Sequence, residues 1–277
     1  MKVKVAASFG GKLSTGSYEN MSPSFFAETE YDTENDSFLT DIDNAQKALH
    51  KICYDNFTAV AEGARIAKVK SDRSDFRWYE RDGKQYISVT SFLGYDETFN
   101  MPDHELKQYA AQGTIIHAQI DKYLETGEWK NPEDIEGLTP YIMIIKSGNL
   151  SLALDGWSFI NFLEKYPMTG MERGTPVFND KWVYAGLPDI STSIYEGVRT
   201  LADIKRTPNK IKGFMQCACY EMARREMGLT PNKQLMLVPI NDKTAQGFSK
   251  PLVTQEIEKY FEMAIYKRKQ FSAVYGI

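Results

Sequence analysis

Cysteine is scarce in this sequence: Cys53, Cys217 and Cys219 are the only three in 277 residues. An odd and sparse set excludes a disulfide framework and falls short of a four-cysteine zinc or iron–sulfur site. Small buried side chains are their expected role. Long apolar runs are missing too. No window approaches the roughly 18 to 20 uncharged residues that cross a bilayer, and the opening MKVKVAASFG holds no apolar segment of signal-peptide length. The expectation is a globular protein without a membrane partner, placed in the cytoplasm, or in a bacterial host's cytoplasm if phage-encoded. Internal repeats, heptads and low-complexity tracts are absent. "GGKLS" at 10–14 is no phosphate loop, because Ala6 stands where its first glycine belongs and Leu13 separates Lys12 from Ser14.

Positive charge is missing from one stretch and gathered in another. Leu13 to Gln46 contains no Lys or Arg, and residues 1–44 set Lys2, Lys4 and Lys12 against eight acids, a net −5. The chain totals −4, so residues 45–277 sum to +1. Within 198–225, seven Lys or Arg against Asp203 and Glu221 leave +5. A mildly acidic total argues against a nucleic-acid partner, yet such a patch attracts phosphate by releasing counterions. A solvated helix face is the plainer alternative. Arg206, Lys210 and Lys212 are the members expected to meet DNA. The acidic first segment suggests an appendage that contacts a protein partner or guides a strand.

Periodicity divides the chain at about residue 70, into an appendage over 1–70 and a main domain over 71–277. A short strand is expected at 1–9, loop and extended chain from 13 to 46, and a helix over 40–68. "FRWYERDGKQYISVTSFLG" alternates on both sides of Asp82-Gly83, a hairpin signal. A helix over 103–126 follows, with Leu106, Tyr109, Ala110, Ile116, Ile120, Tyr123 and Leu124 as its apolar stripe and Gly127 as its stop. Helix then continues over 139–165, interrupted near Gly148 and Gly156. Short strands at 175–179, 181–187, 189–194 and 200–205 come next, then a helix at 211–227, a strand at 234–240 and a helix at 252–272. That order predicts a mixed α/β core, a small mixed sheet flanked by helices.

"LADIKR" at 201–206 sets an acid and a base two residues apart in a strand. Residues i and i+2 share a face about 6.6 Å apart, so Asp203 and Lys205 look at one site. A bare strand-edge ion pair, worth about 0 to 1 kcal/mol, is the plain alternative. Asp189, after Gly186 in "YAGLPDI", lies on the preceding strand. Two hard carboxylates converging without His or Cys suit Mg²⁺ or Mn²⁺, one ion or two; without a cation, like charges and burial would protonate one of them. Lys205 beside such an ion would orient or deprotonate a water, or neutralise charge on a scissile phosphate. Glu172 is either a further oxygen ligand, direct or through water, or a solvated acid beside Arg173. Gln216 and Tyr220 share a helical face, with Gln216 within reach of Lys205 or of a DNA phosphate. His117, one turn after Gly113, is either a satisfied core residue or a ligand, and that glycine leaves room for a strand, a metal or a nucleic-acid backbone. Trp78, Tyr79, Tyr86, Tyr109 and Tyr123 are either core or stacking platforms for bases.

Gly113 to His117, Glu172, Gly186 to Asp189, Asp203-Ile204-Lys205 and Gln216 to Tyr220 together resemble the PD-(D/E)XK nuclease superfamily in its RecB-like exonuclease branch. The resemblance spans roughly 85–240. "YISVTSFL" at 86–93 is similar to a segment ahead of the core in the mitochondrial genome maintenance exonuclease and related phage proteins. The resemblance implies a restriction-endonuclease-like core. It implies catalytic roles for Asp189, Asp203, Lys205 and Glu172, and metal ligation by Asp189, Asp203, His117 and Ile204. It also implies a metal-dependent exonuclease on single-stranded or end-bearing DNA, in phage or bacterial recombination, repair or replication. The iron–sulfur cysteines of the CRISPR-adaptation members are absent, so no such cluster is expected. A non-catalytic DNA-binding recombination mediator and a structure-specific endonuclease are the alternatives.

Overall fold

A computed structural model describes residues 2–10, 13–14, 20–21, 24–32, 44–53, 76–97, 101–206, 208–240 and 244–276. They form two compact units, residues 1–76 with 270–277, and residues 77–269. In the first, β1 (Lys2–Gly10) pairs antiparallel along its whole length with β4 (Ser24–Asp32), and β2 (Leu13–Ser14) with β3 (Asn20–Met21). The acid-rich stretch expected to be loop and extended chain contains a nine-residue strand. Of the helix expected over 40–68, residues 44–53 form α1 and the rest lies outside the described residues.

The second unit opens with the hairpin β5 (Trp78–Arg81) and β6 (Lys84–Ser88). Its turn residues Asp82 and Gly83 both have positive φ, 52° and 74°, the conformation that an Asp-Gly hairpin turn requires. Then come α2 (Val89–Gly94), α3 (Asp103–Thr126), α4 (Thr139–Lys146) and α5 (Ser158–Lys165). Five strands follow: β7 (Met168–Arg173), β8 (Val177–Asn179), β9 (Tyr184–Gly186), β10 (Ile190–Tyr195) and β11 (Val198–Lys205). The remainder is α6 (Lys210–Glu226), β12 (Gln234–Pro239), β13 (Leu252–Thr254) and α7 (Ile257–Tyr275), whose last residues fall in the first unit.

The expected single sheet is two. One has the order β13-β12-β11-β10-β7 and the other β5-β6-β9-β8. Both are mixed, since β11 runs parallel to β12 and β6 parallel to β9 while the other pairs are antiparallel. The chain leaves the four-stranded sheet at Gly186 and enters the five-stranded one at Ile190, so Leu187, Pro188 and Asp189 form the crossing. Two strands escaped the sequence reading. β7 is an edge strand with Thr169, Gly170, Glu172 and Arg173 exposed and Gly170 at φ 57°, so alternation leaves little trace. β13 is three residues long and merges with the helical pattern behind it.

The buried face of α3 is rotated from the expected stripe. It carries Gln108, Ala111, Gln112, Ile115, Ile116, Gln119 and Ile120, while Leu106 is exposed. The three glutamines satisfy the backbone of the non-helical segment after α4. Gln108 accepts from Leu150 N–H and donates to Asn149, Gln112 donates to the Ala153 carbonyl, and Gln119 accepts from Gly156 N–H. Buried peptide groups need such partners. Ile116 and Ile120 pack with Phe159, Phe162, Ala202, Ile204, Met236 and Val238 in the main core. On the opposite face of the sheet α6 lies close, because a Cβ on Gly213 would stand 2.6 Å from Leu237 Cδ1. Among the described residues no helix is long and apolar enough to cross a membrane.

Asp180, in the turn between β8 and β9, accepts from Tyr86 OH at 2.5 Å, Arg81 at 2.7 Å and Lys84 at 3.4 Å. The Tyr86 bond first, then Arg81, hold its carboxyl down at about 2. An acid lowered on folding stabilises fully above its unfolded pKa, and that contribution fades as pH falls from about 4 towards 2. Denaturant melts across this window should show Asp180→Asn less stable than wild type at neutral pH and converging with it at about pH 2.

Candidate active site

β11 ends by delivering Asp203 and Lys205 to the same face. Lys205 Nζ lies 2.5 Å from Asp203 Oδ2, with side chains 27% and 3% exposed. The two form a close ion pair, and Oδ2, a carboxylate oxygen with two lone pairs, retains acceptor capacity beyond it. Lys205 also donates to Gln216 Oε1 at 3.0 Å, and Gln216 Nε2 donates to Tyr220 OH at 2.7 Å. The i, i+4 spacing on α6 makes that relay possible, and Gly213 one turn earlier lets the helix approach.

Asp189 latches the crossing to two elements. Its Oδ2 accepts from Ile204 N–H at 2.7 Å, and its Oδ1 lies 2.8 Å from His117 Nδ1 on α3. Gly174 completes the latch by donating to the Asp189 carbonyl at 3.2 Å. A Cβ there would fall 1.6 Å from the Pro188 carbonyl oxygen, so only glycine permits this backbone approach. Its place in "RGTP" is therefore structural.

The cleft above these groups has a volume of about 480 Å³. Ala110, Gly113, Thr114 and His117 of α3 form one wall, with Arg77, Tyr79, Ser88, Thr90, Gly186, Leu187, Asp189, Asp203, Lys205, Gln216 and Tyr220 around it. A Cβ on Gly113 would meet nothing within 4 Å among the described residues, so the small stripe keeps the cleft open. Gly186 is different: its Cβ would lie 2.1 Å from Tyr220 Cε1. Gly186→Ala should push that ring and loosen the Gln216 relay, costing about 1 to 3 kcal/mol, read as a fall in melting temperature.

Charge in the site is strongly organised. Burial raises Asp203 to about 6, with Asp189 adding and Lys205 and His117 opposing. Burial pushes Asp189 upward too, but His117, Lys205 and the Ile204 N–H outweigh it and leave Asp189 lowered. Asp189 raises His117 against the effect of burial. The imidazole is hemmed in by protein yet 43% exposed toward the cleft, so solvent screens the pair on that side. Burial alone would lower Lys205; Asp203 and Asp189 reverse it and leave the ammonium raised.

The remaining expected residues are placed as follows. Glu172 is exposed on edge strand β7 opposite Thr192, does not line the cleft, and its carboxylate acts on Arg224. Of the two readings given for Glu172, its exposed position is that of a solvated acid. The register of β10 shifts on both sides of Thr192, so sequence spacing could not give its direction. Ile204 buries its side chain in the core and spends its N–H on Asp189, leaving only its carbonyl for an ion. Arg206 stacks over Tyr109 at 4.2 Å, Lys212 is paired with Glu97, and Lys210 is exposed at the start of α6; none of the three lines the cleft. Of the five aromatics expected as stacking platforms Tyr79 alone lines it, whereas Tyr86 is buried and Tyr123 packs on Phe159 and Trp129. Sequence reasoning passed over Arg77 and Thr114; for Thr114 the spacing 110, 113, 114, 117 was the available signal.

Among the described residues no three or more His, Cys, Asp or Glu side chains gather as a metal cluster by themselves. No protein-family model and no curated protein matches the chain.

Proposed function

We propose that this protein is a metal-dependent deoxyribonuclease with a PD-(D/E)XK-type, restriction-endonuclease-like core, acting as an exonuclease on single-stranded or end-bearing DNA. One observation carries the reading: His117, Asp189 and the Asp203–Lys205 pair, from α3, the crossing and β11, share one cleft. The donor set fits a hard divalent ion. Two carboxylates meet there, and Asp203 Oδ2, though paired with Lys205 Nζ at 2.5 Å, keeps a lone pair that an ion could take. Asp203, Asp189, the Ile204 carbonyl and His117 Nε2 would hold Mg²⁺ or Mn²⁺. A bound ion of this kind supplies charge that polarises the phosphate and acidifies water.

The chain's own groups do the rest. A neutral His117 that donates Nδ1–H to Asp189 keeps its lone pair on Nε2. Lys205, raised above an ordinary lysine, keeps its proton at neutral pH. It therefore acts as cation and donor, not as base, with two contacts on Asp203 and Gln216 and a third N–H left for water or a phosphate oxygen. Hydrolysis forms one P–O bond to water oxygen as the ester P–O bond opposite breaks; water's proton leaves to solvent, which returns one to the departing oxygen.

End-labelled linear DNA and covalently closed single-stranded circles, incubated with Mg²⁺, test the reading. Linear DNA should be digested and circles spared, and Lys205→Ala should lower the rate at least about 10²- to 10³-fold. Circles cut as readily as linear DNA would sink the exonuclease part, and activity surviving EDTA would sink the metal. DNA binding without metal-dependent turnover would instead favour a non-catalytic mediator. Ion binding should also weaken as pH falls through the raised pKa of His117, because a protonated ring has no lone pair to give. Calorimetric Mn²⁺ titrations at pH 8 and pH 6 would read this.

A further inference from the structure

The face of the four-stranded sheet that leads out of the cleft is built of cations laid over aromatic rings. Alternation along β5 puts Arg77, Tyr79 and Arg81 on one face and Glu80 on the other, and the register brings Tyr86 opposite Tyr79 and Lys84 opposite Arg81. Arg77 lies 4.8 Å from the Tyr79 ring centroid, Arg81 lies 4.7 Å from Phe178, and Lys84 lies 5.0 Å from Tyr86. Arg77 and Tyr79 line the cleft itself, and at about 3.3 Å per residue the row runs about 13 Å from Arg77 to Arg81. Asp180 is the carboxylate at its far end, bonded to Arg81 and Lys84. Arg81 and Lys84 nonetheless keep 31% and 47% of their side chains exposed.

We infer that this face is a binding track for single-stranded DNA that continues from the cleft, with Arg77, Arg81 and Lys84 meeting phosphates and Tyr79 offering a ring to a base. The inference rests on the nuclease reading and extends it to the substrate beyond the scissile bond. Charge complementarity and continuity with the cleft select the occupant. Tyr86 and Phe178 are buried beneath their cations, so the row offers phosphates three cations and bases the one ring of Tyr79, and binds with little regard to sequence.

The test uses the full chain in EDTA with fluorescein-labelled oligothymidylates of about 4 and about 16 nucleotides. Anisotropy is followed between about 50 and about 200 mM salt. Wild type should bind the long oligomer more tightly. Lys84→Gln, at an exposed side chain outside the catalytic group, should lower the salt slope for the long oligomer by about 0.7 and leave the short one within about twofold. Lys84→Glu should weaken the long one further. Equal losses for both lengths, or an unchanged slope in Lys84→Gln, overturn the track while metal-dependent cleavage stands. A wild type that binds neither oligomer overturns the track, while the nuclease reading stands or falls by cleavage in Mg²⁺.

Discussion

Asp203→Asn is expected to abolish Mg²⁺-dependent cleavage, by at least about 10³-fold, while making the metal-free protein more stable. The two effects share one cause. Asp203 is raised to about 6 by burial against the help of Lys205, so its charged form is worse placed in the fold than in water. An acid raised on folding lowers stability as pH climbs from its unfolded value near 4 to about 6, and the loss is complete above that. Asn keeps the shape and removes the charge, gaining about 1 to 3 kcal/mol at neutral pH. Thermal melts from pH 4 to 8 should show the wild type losing stability across that window and the variant not. Added Mn²⁺ should raise the melting temperature of wild type alone. A variant that melts lower than wild type at every pH, or that still responds to the ion, would refute this account of the carboxylate.

Glu221→Ala should do the opposite, destabilising the second unit from a position that does not line the cleft. Glu221 is wholly buried. One oxygen accepts from Arg225 Nε and Asn232 N–H, each at 2.9 Å, and the other from Asn232 Nδ2 at 2.8 Å, with Arg224 Nε 3.6 Å away. Asn232 in turn holds the Ser191 carbonyl and the Thr192 hydroxyl. Removing the carboxylate strands a buried guanidinium, already lowered by burial, together with the donors of Asn232. The expected cost is about 3 to 5 kcal/mol. Trp78, Trp129, Trp157 and Trp182 all lie in the second unit, so tryptophan fluorescence in urea reports it alone. Glu221→Gln, which can still accept hydrogen bonds, should lose less. Equal stability of Glu221→Ala and wild type would show that the cluster contributes nothing net.

Particular residues show what was legible beforehand. Asp82-Gly83 announced its hairpin because that pair tolerates positive φ. The ends of α3 and α6 were marked by Gly127 and Gly228, which take positive φ there. Asp203 with Lys205, and Gln216 with Tyr220, were readable as pairs because their partners sit within one strand repeat or one helical turn. Three things were hidden: the glutamine face of α3, the edge strand β7, and the roles of Gly174 and Gly186. A glutamine becomes a core residue only when a distant loop needs its amide, and a glycine becomes irreplaceable only when another segment presses on it.

By itself the sequence determined α3, α6, the hairpin turn and the paired spacings, since these follow from periodicity and from backbone preferences spanning a few residues, whereas α2 lay hidden in a run read as alternating. Only the tertiary structure decided that the strands split into two sheets, that Asp189 sits on the crossing and bonds His117 72 positions away, and that Glu172 stands outside the cleft. Convergence of distant side chains depends on packing and register across the whole unit, and no local preference encodes where two remote segments meet.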